Sequence, residues 1–378
     1  MNAYIIGTGQ STYTRKPSGG TTTTQILAQA TRAALLDAGL NIADIDGFGV
    51  ASFTLNPDHA IDLAWKLGIS ANWLMEDTNG GASAGTLLQH AVHAVEAGVA
   101  KNILLVAGDH MPPEAFANLV ERYNLATYQH LAPLPMNGPN PSFAMLTQRQ
   151  MENLDLAVED YGNIAIAQRK WAALNPGAVY RNELTMEEYL AAPMVADPLR
   201  RYDCVPPVSG GDAIIVSAQT DGKAAAKVLS NKASYNFDHQ AGDGIVTGVA
   251  SIADTAWNAA AIGPDDVDVV SVYDDYPAMV VSQLRDLGLI GPHESVSQFI
   301  SERVATHKLP VNTSGGQLSA GQAGASGGMH GMVETARQLM GKAGERQVDA
   351  RFGVVTGYGM VLYRYGACAT VSVLERAR

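Results

Sequence analysis

A chain of 378 residues can bury a large core and form two or three domain-sized units. With a net charge of −12 and 25 Lys and Arg that form no run, it lacks the basic footprint of a nucleic-acid-binding protein. The charged fraction of 16% against 47% hydrophobic residues, with 38 Gly, fits a compact α/β enzyme whose surface is partly covered in an oligomer. No apolar run reaches the ~18 residues a membrane span requires. The opening Met1-Asn2-Ala3-Tyr4-Ile5-Ile6 enters a strand-like run without a basic n-region, so a cytoplasmic protein is expected. Cys204 and Cys368, the only cysteines, show no pairing pattern and read as buried thiols. His90 and His93 share a helix face without a carboxylate at ligand spacing, so no metal site is expected.

Along the chain, residues 4–7 read as a short strand. Residues 24–38 form an Ala-rich helix behind a Thr cluster able to cap it, and 46–51 lead into a second strand. Asn79-Gly80-Gly81-Ala82-Ser83-Ala84-Gly85 is a Gly-rich loop, and an Ala/His/Val helix follows to about residue 97 with Gly98 as C-cap. Residues 102–107 read as a buried strand. Residues 111–205 differ, being rich in Pro, Tyr, Met and Gln, with helices near 145–154 and 159–174. So long an excursion from an α/β core reads as a lid or interface. The core resumes at 203–213 and the strand 213–217.

The second half replays the first. Residues 38–46 return as 260–268, strand 47–50 as 269–272, and Asn312-Thr313-Ser314-Gly315-Gly316 opens a Gly-rich loop before a helix around 329–339 and a strand at 352–356. The repeated order predicts an internal duplication. The halves are expected at 1–112 plus 205–228 and at 229–378, with 113–204 as an inserted cap.

The Asn-Gly-Gly-Ala-Ser loop, the Asp-rich return at 203–213, Tyr273-Asp274-Asp275-Tyr276, Gly321-Gln322-Ala323 and Gly357-Tyr358-Gly359 stand in the order of the thiolase motifs. Over nearly its whole length the chain resembles the thiolase superfamily. Within it, the similarity is to the branch related to sterol carrier protein x, which includes bacterial steroid side-chain aldolases. The resemblance implies an α/β thiolase fold: a duplicated αβαβα layered core of two similar halves with an inserted loop/cap region. It also implies a homodimeric core and a separate small OB-fold, zinc-ribbon partner, since this chain carries no zinc-binding Cys cluster.

The departures decide the chemistry. Gly81 stands where thiolases carry the nucleophilic Cys, Gly321-Gln322-Ala323 where they carry Gly-His-Pro, Gly357-Tyr358-Gly359 for Cys-x-Gly, and Tyr273 where a residue orients the catalytic water. An acyl-enzyme route needs a thiolate and two bases, and Gly81, Gln322 and Gly357 supply none. Thiolase chemistry is excluded. The Gly-rich loops still offer N–H donors to a thioester enolate, so Gly81, Ser83, Gly315 and Gly359 are the expected substrate and oxyanion contacts. Ser83 is no nucleophile, because no motif holds a His to activate it. Tyr273 and Tyr358 lead as acid/base groups, Gln322 orients a hydroxyl, and Tyr276 is a further catalytic candidate. For Tyr276, Tyr363 and Tyr365 the ordinary reading is packing with a satisfied hydroxyl, and Asp274 reads as a residue that fixes its loop. The function expected is retro-aldol cleavage of a bulky β-hydroxyacyl-CoA, a steroid side chain by the resemblance, to a ketone and propionyl-CoA. No covalent Cys intermediate is involved, and the only coenzyme is the CoA of the substrate. The alternative is a non-catalytic acyl-CoA- or lipid-binding subunit.

Overall fold

The computed structural model describes residues 3–55, 59–122, 127–131, 133–134, 136, 138–239, 241–362 and 365–377, without the side chains of 122, 127 and 365. Tyr363 and the Tyr365 side chain, both weighed above, therefore lie outside what is described. The first unit comprises β1 (Tyr4–Gln10), α1 (Thr23–Ala38), β2 (Gly47–Ala51), α2 (Ala60–Leu67), β3 (Trp73–Asp77), α3 (Ser83–Glu96) and β4 (Asn102–Asp109). The excursion carries α4 (Pro113–Arg122), α5 (Asn140–Leu154), α6 (Val158–Ala173), α7 (Met186–Ala191) and the short strands β5 (Met194–Ala196) and β6 (Leu199–Arg200). Then follow β7 (Gly210–Ser217), β8 (Ala225–Tyr235), α8 (Ala253–Ala260), β9 (Val269–Ser271), α9 (Pro277–Asp286) and α10 (Val296–Phe299). The chain closes with α11 (Gly316–Ala320), α12 (Gly327–Leu339), β10 (Phe352–Leu362) and β11 (Tyr365–Ala377).

Local chemistry sets the element ends. Thr22 caps α1 through a capping box with Gln25, and Gly39 closes it in the left-handed region at φ 64°. The 79–85 segment is helical sooner than expected: a 3₁₀ turn spans Gly80–Ala82 and α3 already starts at Ser83. The strand expected at 352–356 runs on through residues 357–359 as β10 to Leu362, paired with β11.

Nine of the eleven described strands form one sheet in the order β3-β2-β4-β7-β1-β8-β11-β10-β9, and β5 pairs with β6 apart from it. Its two ends repeat one connectivity. β2 pairs β4 in parallel, β4 pairs β7 and β7 pairs β1 antiparallel. Likewise β9 pairs β10 in parallel, β10 pairs β11 and β11 pairs β8 antiparallel. The halves join where β1 meets β8 at Tyr4↔Lys227 and Ile5↔Ala226. The duplication read from the sequence is thus a duplication of strand order.

Burial follows the strand period of two. On β4, Ile103 and Leu105 face α3 and α12, whereas Leu104 and Val106 face α1 and α2. Leu88 and Val92 of α3 share one core with Met332 and Val333 of α12, with Val216 of the first half and with Val355 of the second. The two helices therefore lie between the halves of the sheet, and α8 and α9 cover the far face of the second half. One charge pair is buried here: Arg346 Nη2 lies 2.9 Å from Glu334 Oε2 on α12. Burial acts to raise the Glu334 pKa, but the Arg346 guanidinium and the hydrogen bonds from Arg346 and Thr313 hold it below the ordinary glutamate value. Arg346→Met leaves that carboxylate without its ion-pair partner and should destabilise the fold by about 3–5 kcal/mol. Denaturant unfolding near pH 7 measures this; the wild-type pair's contribution should fade as pH falls through the depressed glutamate pKa.

Candidate active site

Four segments converge where the halves meet the cap: the 3₁₀ turn at Gly80–Ala82, the turn after β9, the stretch 322–324 before α12, and β10. Each is tethered by hydrogen bonds that the chain order alone does not show. Gln283 of α9 donates from Nε2 to the Tyr273 carbonyl at 2.6 Å and accepts from Thr356 Oγ1 at 2.6 Å, while the Tyr273 N–H donates to Thr356 Oγ1 at 3.2 Å. The Gln322 backbone is clamped by the return segment, donating to Pro206 O at 3.0 Å and accepting from Val208 N at 2.9 Å. Asp109, wholly buried at the end of β4, accepts from Ser52, from the N–H of Phe53 and Thr54, from the Thr54 hydroxyl and from Ala325 N, all at 2.7–2.8 Å. It ties two cavity walls, Phe53 and Gly324, to one anchor, and sequence reasoning missed it.

These segments enclose a cavity of about 260 Å³. One end is polar, with Gly81, Tyr273, Asp275, Gln322 and Gly324; the rest is mainly apolar, walled by residues such as Phe53, Met111, Phe116, Leu119, Phe143 and Val361. Cys204 also lines it, but burial pushes its thiol up to about 12, so it offers no thiolate near neutral pH.

The polar end is a three-residue cluster. Gln322 Nε2 donates to Asp275 Oδ1 at 2.5 Å and to the Tyr273 hydroxyl at 3.2 Å, and the Asp275 carboxylate also accepts from Tyr273. Burial raises the Asp275 pKa to about 7, the adjacent Asp274 adding to the rise and the Tyr273 hydrogen bond opposing it. A carboxylate that titrates near neutrality and bridges to a cavity-facing phenol is a general-base arrangement. Asp275 lay within a motif read for its tyrosines. The signal available was an acid pair ending an apolar strand.

The sequence-derived candidates separate. Tyr273, Gln322 and Gly81 come together at the cavity. Tyr358 stands behind them, 1% exposed, its ring 6.3 Å from that of Tyr273 and its hydroxyl accepting from the Gly366 N–H. Tyr276 lines the cavity but stacks on Phe143 and donates from its hydroxyl to Asn140 Oδ1 at 2.7 Å. Burial lifts its pKa well above the usual value, which disfavours the phenolate.

Three expected oxyanion contacts do other work. Ser83 is 0% exposed inside the first turn of α3. Gly315, at φ 97°, abuts Ala172 of α6, and its N–H donates to Asn312 O at 2.8 Å. Of the donors that follow it, Gly316 N goes to Ser314 Oγ at 3.2 Å, and Asp274 accepts from Gln317 N at 3.0 Å and Leu318 N at 3.3 Å. Asp274 thus fixes its loop, as the sequence reading held. At Gly359, a Cβ would lie 1.9 Å from the Asn79 carbonyl, so this glycine seats the 79–82 turn against β10. Gly81 and Gly324 remain as cavity-lining backbone, each within the first two residues of a 3₁₀ turn where N–H groups lack an intrahelical partner.

Gly81 also explains why the tyrosine fits. A Cβ there would fall 2.0 Å from Cε2 of Tyr273 and 2.3 Å from the Tyr358 carbonyl. The phenol ring occupies the space a side chain at 81 would need. Gly81→Ala should therefore cost about 1–3 kcal/mol by overpacking. In a Tyr273→Ala background the cost should shrink, though the Tyr358 carbonyl keeps it above zero. A double-mutant cycle on unfolding free energies reads the coupling; purely additive costs would mean the ring is not what fills the site.

Comparison with known proteins agrees with this architecture. A family model described as "Thiolase C-terminal domain-like" matches residues 231–376. A "Steroid side-chain-cleaving aldolase" of Thermomonospora curvata is 27% identical over 94% of this chain and 94% of its own. A "17-hydroxy-3-oxo-4-pregnene-20-carboxyl-CoA lyase" of Mycobacterium tuberculosis is 29% identical over 90% of this chain and 92% of its own. Among solved structures, a chain of the "Ltp2-ChsH2(DUF35) aldolase" superposes with a TM-score of 0.84 at 23% identity, covering 100% of this chain and 98% of that one. The fold is the thiolase fold.

Proposed function

We propose that this thiolase-fold chain is a carbon–carbon lyase that cleaves a bulky β-hydroxyacyl-CoA, of the steroid side-chain class, to a ketone and propionyl-CoA without a covalent intermediate. The observation that carries the reading is the Tyr273–Asp275–Gln322 cluster at the polar end of an otherwise apolar cavity. The two relatives named for steroid side-chain cleavage and CoA-lyase activity support it. Tyr273 takes the proton of the β-hydroxyl as its own passes to the Asp275 carboxylate. The C–O bond becomes a carbonyl, the Cα–Cβ pair moves to Cα, and the thioester becomes an enolate. Its oxygen is held by the Gly81 and Gly324 N–H groups. A proton returned to Cα releases propionyl-CoA. Gln322 keeps phenol and carboxylate in register, and Tyr358 backs the Tyr273 ring. No electron acceptor or cofactor beyond the substrate's CoA is called for.

Because Asp275 is raised to about 7 and acts as its anion, kcat/KM should climb as pH rises through about 7 and level off above it. Asp275→Asn and Tyr273→Phe should each lower kcat/KM by about 10²-fold or more, with propionyl-CoA and ketone followed by mass spectrometry on a β-hydroxy C22 steroid acyl-CoA. Tight thioester binding without product, unchanged by either substitution, would assign the chain instead to acyl-CoA binding.

The proposal includes a cytoplasmic homodimer working with a separate small OB-fold, zinc-ribbon protein. β3 is one of the two outer strands of the sheet, and the neighbouring α2 leaves Trp65 78% and Ile61 70% exposed, an apolar rim suited to a two-fold contact. The similar structure whose name joins Ltp2 to ChsH2 supports a second protein. Trp65→Glu should halve the mass seen by light scattering; an unchanged mass would place the subunit contact elsewhere.

A further inference from the structure

The cap helix α4 is built like a core helix but has little core beneath it. Phe116, Leu119 and Val120 fall at i, i+3 and i+4, one face of the helix. All three line the cavity, and all three remain only half-buried. The helix packs chiefly on the following turn at Thr127–Leu131. A ten-residue helix does not hold itself together in water, and its stability comes from what its apolar face touches. Here that face lines a cavity whose lining also includes the apolar side chains of Phe143 and Val361.

Resting on the function proposed above, we infer that the acyl body of the substrate is the missing core of α4. The helix then serves both as the specificity wall for large, rigid, uncharged acyl groups and as a lid ordered by them. The polarity of the cavity fixes the orientation. The thioester and β-carbon lie at the Tyr273–Asp275 end, and the acyl body runs toward α4, where the lining offers no ionised partner: the Cys204 thiol stays neutral and the Tyr276 hydroxyl is taken by Asn140. A short acyl group reaches the polar end without touching α4. A ring system fills the hollow and buries the three side chains.

Binding without turnover tests this apart from the lyase reading. The probes are a C22 steroid acyl-CoA lacking the β-hydroxyl, and propionyl-CoA. In hydrogen exchange of the full chain, amides of residues 114–122 should slow with the steroid thioester and stay unchanged with propionyl-CoA. Phe116→Ala/Leu119→Ala should weaken the steroid thioester by about 10- to 100-fold and leave propionyl-CoA affinity within about twofold, with an unaltered melting temperature showing that the fold is intact. Leu119→Met, which keeps volume, should bind like wild type. Equal losses for both thioesters, or steroid binding that leaves 114–122 as exchangeable as before, would overturn the assignment. Discrimination in binding without any cleavage would sink the lyase reading and leave this one standing.

Discussion

One packing contact organises the site: the ring of Tyr273 against the bare backbone of Gly81. Two groups cannot share that volume, so a phenol and a nucleophile on the 79–82 turn are alternatives. Accepting the phenol requires glycine at 81. It also requires Gly357 and Gly359, which let the turn lie directly on β10. A Cβ on Gly327, at the start of α12, would likewise lie 3.0 Å from the same ring. What looks in the sequence like the loss of a catalytic side chain is, in space, a swap of one group for another, with the surrounding glycines as its condition.

The carboxylates beside that ring show how burial divides labour between adjacent residues. Asp274 and Asp275 are both raised to about 7, yet their surroundings differ. Asp274 accepts from two backbone N–H groups and from Gln168 at 2.9 Å, which commits it to holding α11. Asp275 meets only side chains that themselves face the cavity. The first is tied into the frame and the second opens on the cavity because of what each can reach. Their pKa values are alike.

Much of the frame was legible in the sequence, because strand period, glycine caps and the repeated order of elements are local or simply ordered signals. The β2–α3–β4 unit and its repeat could be read that way. The edge strand β3 could not, since its alternation of half-buried and exposed residues is weak, and β8 is a long, polar strand whose identity depends on pairing with β11. At the site, the types of residue were visible but their directions were not. Gly315 sits in a loop of the expected kind and faces Ala172; Ser83 follows the expected turn and is sealed in a helix. Asp109 and Asp275 were invisible as functional groups because their meaning lies in contacts with residues such as Ala325 and Gln322, far away along the chain.

The strand order carries a consequence for how the molecule is made. β4 pairs with β7, and β1 lies between β7 and β8, so the first half of the sheet is closed only by strands that follow the whole cap. A ribosome that has released residues 1–112 has delivered two parallel strand pairs and a β1 with α1 to pack on but no strand beside it. The β1 strand must wait for β7 (Gly210–Ser217), and on its other edge for residues 226–227 of β8, to emerge. During that interval Ile5 lacks Val216, Ala226 and Val228, later-made residues of its core. Folding of this protein is therefore late and long-range, and the cap, although peripheral in space, sits kinetically in the middle of the first half's assembly.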